Sequence, residues 1–175
     1  MLPARYYNQS MINEDKWSAY KLLINDLLRH PQVRAMDQHI HHNSITTLEH
    51  CLSVSYLSYC LSEKFGLDSK AVARGALLHD LYLYDWHKIK PPEGLHGFTH
   101  PGIALRNASG LFQLSRLEVD IISKHMWPLT VRPPRYRESF LVCFVDKYCA
   151  LLEVFHSNRK VRLEQFKCSL TSMCR

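Results

Sequence analysis

The stretch 68–83, DSKAVARGALLHDLYL, decides how the chain is read. Val72, Ala76 and Leu83 recur at helical spacing and share one face with His79 and Asp80. Asp68 or Ser69 suits a helix start, because a short oxygen-bearing side chain accepts a hydrogen bond from a first-turn N–H. The spacing predicts a helix to about Tyr82. A carboxylate within a buried stripe is costly unless a positive partner or a metal meets it.

Outward from there the same period repeats. Upstream, Ser44 can cap a helix running to about Phe65, closed by Gly66, with His50, Val54, Leu57 and Leu61 on one face. Before it, Asn13 can cap a first helix carrying Trp17, Tyr20, Ile24, Leu27 and Leu28, ended by Pro31. Residues 33–42 stay undecided between helix and loop.

Downstream, 88–98 reads as a loop with two Pro and two Gly. His100 then caps a short helix with Pro101 in its first turn and Gly110 at its end. Ser115 and Glu118 form a capping box, with Leu114 and Val119 as its staple. That helix carries Ile121, Ile122 and His125 and ends at Trp127-Pro128. After a loop at 131–134, a helix from Arg135 or Tyr136 to about Phe155 is apolar nearly all round. It should be central, with Asp146 at its middle. A last helix is expected from about Lys160. No stretch reads as a strand. The expectation is one all-α domain over 1–175, with its core at about 44–150 and the N-terminal helix (13–30) and the C-terminal helix packed on it.

Composition narrows the class. The 175 residues are 46% hydrophobic and 22% charged, which excludes a disordered or fibrous chain. The longest apolar run, 140–145, falls far short of the roughly 20 residues of a membrane span. The first residues lack the apolar core of a signal peptide, so a cytoplasmic location is expected. The six cysteines include no C-x-x-C pair and read as reduced, packed thiols. A net charge of +6 favours anionic partners. No basic run or basic heptad region accompanies it, so a small phosphorylated compound is expected rather than nucleic acid. The unusual count is 11 histidines, the commonest metal-ligand type.

His50, His79, Asp80 and Asp146 place polar groups in the buried stripes of three helices. Two imidazoles and two carboxylates make a sound donor set for a divalent first-row metal. Together these residues, with the dyad in Ala-Leu-Leu-His-Asp-Leu, resemble the H…HD…D signature of the HD superfamily of metal-dependent phosphohydrolases. His100 in Phe-Thr-His-Pro-Gly and His125 in Ile-Ser-Lys-His-Met-Trp extend the order to H…HD…H…H…D, which is similar to the binuclear branch. The Gly-Tyr-Pro motif of its cyclic-di-GMP enzymes is absent. Their Lys shortly after the dyad is replaced by Leu81-Tyr82-Leu83-Tyr84.

The resemblance implies an all-α domain that hydrolyses a phosphate ester or anhydride, mostly in nucleotides or dinucleotides, with metal-activated water. It implies His50, His79, Asp80 and Asp146 around one metal. Asp80 would bridge to a second metal held by His100 and His125. Iron or manganese suits such mixed ligation, and zinc, nickel or magnesium also fits. His79 and Asp80 are then both ligating and catalytic. Asp85 and His87 follow the dyad closely; a carboxylate behind a ligand, a general acid and plain surface residues all remain open readings. His96 could replace His100, although the His-Pro step favours His100. His39, His41 and His42 could line the pocket mouth or form a surface cluster. Lys88, with Lys90, and Arg132, Arg135 and Arg137 lie on loops flanking ligands, where they could bind phosphate oxygens. A homo-oligomer is compatible with the sequence. The alternative function is a catalytically silent HD scaffold that binds a nucleotide, nucleic acid or a partner protein.

Overall fold

The computed structural model describes residues 14–42, 45–88 and 94–155, and most of them are helical. In chain order the helices are α1 (Glu14–Arg29), α2 (Pro31–Ala35), α3 (Thr47–Phe65), α4 (Ser69–Leu78), α5 (His96–Leu111), α6 (Arg116–Lys124) and α7 (Arg137–Phe155). The expected cap at Asn13, the Lys90 side of its loop and the helix from Lys160 lie outside the described residues.

The chain departs from the all-helical expectation between α2 and α3. A short 3-10 turn, Met36–Gln38, leads into β1 (Ile40–His42), which pairs antiparallel with β2 (Ile45–Thr46). Thr47 fastens this ribbon to α3: its backbone N–H donates to the His39 carbonyl at 2.8 Å. The cap of α3 is Thr46, not Ser44. Thr46 Oγ1 accepts from the Glu49 N–H while the Glu49 carboxylate accepts from the Thr46 N–H, a complete capping box. At the other end Gly66 adopts φ 63°, a left-handed turn that a Cβ would disfavour.

The central helix is α3. Its residues join two apolar clusters: Cys51, Leu52, Tyr56 and Tyr59 pack with α1, while Val54 and Leu57 pack with Val72, Ala76, Ile121 and Val142. The expectation that α7 would be central is corrected. One face of α7 is buried through Val142, Cys143, Val145 and Cys149, but Phe144, Tyr148, Leu151 and Val154 are exposed on the other. An apolar sequence on all sides does not tell which neighbours are close enough to cover it.

Two contacts set the spacing of the helices that carry the site. Gly75 of α4 lies against Ile121 of α6 so closely that a Cβ there would stand 3.0–3.1 Å from three Ile121 side-chain atoms. Arg74, beside it, bridges three helices: its guanidinium donates to Asp26 and the Leu23 carbonyl on α1 and to Glu118 on α6. The glycine sets a short α4–α6 distance and the arginine fixes the direction.

Candidate metal centre

The polar groups flagged in the sequence converge at the ends and middles of these helices. His50 lies in the first turn of α3 and Asp146 midway along α7. The dyad is not within the helix expected to reach about Tyr82: α4 stops at Leu78, so His79 is its C-cap and Asp80 follows. His125 likewise caps the C-terminus of α6. Two helix C-termini therefore end at the site, and their partial negative charge favours a cation. His100 is not an N-cap. Helix α5 starts at His96, so His100 sits in its second turn and Gly110 lies within the helix. All six residues are buried, none more than 7% exposed.

The imidazoles are oriented alike. His79 Nδ1 lies 2.7 Å from the Ala76 carbonyl, His100 Nδ1 2.7 Å from the His96 carbonyl and His125 Nδ1 2.8 Å from the Ile122 carbonyl. A carbonyl oxygen only accepts, so each Nδ1 carries a proton and each Nε2 is turned to the centre. His50 reaches the same result by another route, with its Nδ1 2.9 and 3.0 Å from the two oxygens of Glu153. A carboxylate behind a ligating histidine fixes its tautomer and raises its basicity.

Around these Nε2 atoms the oxygens fall into two groups. Asp146 Oδ1 lies 3.0 Å from His50 Nε2 and 3.4 Å from His79 Nε2. Asp80 faces both sides: Oδ2 is 3.6 Å from His79 Nε2, while Oδ1 is 3.2 Å from His100 Nε2 and 3.4 Å from His125 Nε2. The sets His50–His79–Asp146, His79–Asp80–His125 and His41–His50–Asp80 each offer ligand atoms within 4.8 Å of one another.

Burial would discharge these groups, yet the mutual charges prevail at four of them. Glu153 and Asp146 hold His50 well above its ordinary value of 6.5, and Asp80 does the same for His79. In return His79 and His100 hold Asp80 well below 3.8, and His50 and His79 do so for Asp146. At His125 burial wins and the pKa falls. Without metal, protons on histidine balance the buried carboxylates.

A divalent metal fits this donor set. His79 Nε2 and Asp80 Oδ1 are buried and make no hydrogen bond, although such groups are almost always paired in folded proteins. His100 Nε2 and His125 Nε2 approach to 2.8 Å. With both Nδ1 protons committed, two neutral rings would aim lone pairs at each other, so a proton or a metal cation is required there.

The centre opens into a cavity of about 680 Å³ lined by Asp80, His100, His125 and Asp146 together with His41, Trp86, His96, Met126, Leu129 and Lys147. Between His96 and His100, it is His100 that joins the cluster. His96 stacks on His100 at 4.5 Å with its Nδ1 2.9 Å from the Tyr84 hydroxyl, and burial lowers its pKa to about 4.

Other expected residues lie elsewhere. Asp85, His87 and Lys88 are outside the lining: the Asp85 carboxylate accepts from Lys88 Nζ at 2.9 Å and from the His87 N–H at 3.1 Å. Arg132 lines a separate surface depression with Ser123 and Lys124. The Arg135 N–H donates to Asp120 and its guanidinium lies over the Tyr136 ring. Arg137 is exposed at the start of α7. These arginines are close to the ligands in sequence, but none of them is in the lining of the cavity.

Glu153 was missed in the sequence, and His41, one of three histidines that could line the pocket mouth, is the one found in the lining. Glu153 is seven residues after Asp146, two helical turns on the same face, and that spacing was the available signal. His41 is buried, stacked on His50 at 4.0 Å, with Nδ1 3.0 Å from the Tyr82 hydroxyl and 3.7 Å from Asp80. The ribbon that turns it inward could not be read from the cluster His39, His41 and His42.

The four described cysteines are buried. No described helix is long and apolar enough to cross a membrane. In comparisons with known proteins, the family model described as HD domain matches residues 47–151, well over half of the chain. No curated protein and no solved structure matches it.

Proposed function

The chain belongs to the HD domain family, and from that premise we propose that it is a metal-dependent phosphohydrolase cleaving an ester or anhydride bond in a small phosphorylated compound, with nucleotides and dinucleotides the first class to assay. The observation that carries this reading is Asp80, whose two oxygens face two different histidine groups. In this reading His50, His79, Asp146 and Asp80 would hold one divalent ion, and His100, His125 and Asp80 would hold a second, with iron or manganese suited to the mixed donors. Such ions supply a polarised phosphoryl oxygen and a water acidified from about 15.7 toward 7.

The chain's own residues arrange the centre. Glu153 keeps the His50 proton on Nδ1. The carbonyls of Ala76, His96 and Ile122 do so for the other three rings. Lys147 Nζ donates to the His125 carbonyl at 2.7 Å and steadies the C-terminal end of α6. Trp86, Met126 and Leu129 give the cavity beside the centre an apolar lining.

The test is metal analysis of protein purified without chelator, followed by phosphate release from a panel of phosphate esters, anhydrides and nucleotides with metal added back. Bound metal with no release from any compound would favour a silent binding scaffold instead.

A further inference from the structure

Among the described residues, the cavity beside the metal centre offers few cations to a chain of phosphates and a large share of apolar lining. Its apolar lining is Trp86, Met126, Pro128, Leu129 and Ala150. Among the described residues Lys147 is the one lysine or arginine of the lining. Its ammonium is held by the His125 carbonyl at 2.7 Å and lies 3.2 Å from Cys143 Sγ. A chain of phosphates calls for several forked or point cations along its length. Lys88, Arg132, Arg135 and Arg137 are not in the lining.

The apolar wall is firmly built. Trp86 stacks on His96 at 5.0 Å with the rings 11° apart, which holds the indole flat against α5. Gly97 of α5 approaches Leu129 so closely that a Cβ there would stand 3.3 Å from Leu129 Cδ2. Leu129 is itself 47% exposed at this wall, and apolar surface beside a charged centre marks a binding face. A volume of about 680 Å³ suits an occupant of ordinary metabolite size.

We propose that the substrate carries a single phosphoryl group on an apolar body, the phosphoryl group at the His–Asp centre and the body against Trp86, Met126 and Leu129. This names the substrate class for the phosphohydrolase reading and rests on it for turnover, but binding tests it independently.

The experiment uses the full chain loaded with manganese. Binding of n-hexylphosphonate and ethylphosphonate is measured by calorimetry, and hydrolysis of n-hexyl phosphate, ethyl phosphate and ATP by phosphate release. Both alkyl esters expel an alkoxide of similar basicity, so the comparison isolates the body. Each buried methylene is worth about fourfold. Hexylphosphonate should bind at least about tenfold more tightly than ethylphosphonate, and kcat/KM should follow the same order and exceed that for ATP. Leu129→Ser and Trp86→Ala should each narrow the hexyl-to-ethyl ratio by about threefold or more. Leu129 is half-exposed, so its variant tests the wall without threatening the core. Equal binding of the two phosphonates, binding of neither, or a preference for ATP would overturn the proposal. A hexyl preference in binding with no ester hydrolysed would overturn the phosphohydrolase reading alone.

Discussion

The Glu153 carboxylate straddles His50 Nδ1, at 2.9 and 3.0 Å, from 103 residues further along the chain. On the other side of the ring His50 Nε2 lies 3.0 Å from Asp146 Oδ1. One face of α7 thus supplies both the carboxylate that orients the histidine and the carboxylate that shares its centre.

Glu153 is therefore a positioning residue, and Glu153→Gln should weaken metal binding by about 10- to 100-fold, the usual effect of losing a partner behind a ligand. The amide oxygen can still accept from Nδ1, so the helical fold should persist. Manganese titration followed by calorimetry checks the affinity, and circular dichroism checks the fold. An unchanged affinity would reduce Glu153 to a buried structural acid.

Asp80 faces both histidine groups, so Asp80→Ala should remove most bound metal and lower activity by at least about 100-fold. Elemental analysis after purification without chelator reads this directly. Full occupancy in the variant would remove Asp80 from the ligand set.

The double variant His100→Ala with His125→Ala separates one metal from two. Wild type should bind about two ions per chain and the variant about one, with most activity lost. A wild type that is fully active at one ion per chain would end the binuclear reading.

The protonation balance sets a pH dependence for the metal-free protein. Burial opposes charge on His50 and His79, but Glu153, Asp146 and Asp80 outweigh it and raise both above 6.5. The folded state then holds more protons than the unfolded one. Their stabilisation is complete below about 6.5 and is lost as pH rises through the raised values. His96, lowered to about 4, and His125, also lowered, act oppositely and cost stability as pH falls below 6.5. Depressed Asp80 and Asp146 lose their contribution only at pH values below 3.8. Thermal unfolding in chelator should show a maximum near pH 6.5 and decline on the alkaline side. Added manganese should abolish that decline, because the ion replaces the histidine protons. A chelated protein whose melting temperature keeps rising above neutrality would contradict the charge assignment.

Gly75→Ala should cost about 1–3 kcal/mol, because the added methyl meets Ile121 on a packed helix. The same shift would move His125, whose ring lies 4.8 Å from His79, away from its neighbour. A lowered melting temperature together with weakened metal binding is the expected pair of readings. Ile121→Val in the Gly75→Ala background should recover part of both.

The helical period, the capping box at Ser115–Glu118, the stop at Gly66 and the four polar residues His50, His79, Asp80 and Asp146 set in apolar stripes were all legible in the sequence. Each is a local matter: a turn of helix or a cap depends on residues three or four apart, and a polar group in a buried stripe is conspicuous wherever the helix packs. What lies between helices was decided only by the tertiary structure. Glu153 behind His50, His41 turned inward by a two-strand ribbon, α3 rather than α7 at the centre, and basic residues outside the cavity lining all depend on which faces meet. Those choices follow from contacts such as Gly75 against Ile121, where a missing methyl group sets a distance between segments over 40 residues apart. No periodicity within either segment encodes that distance, because it arises from the joint fit of both surfaces.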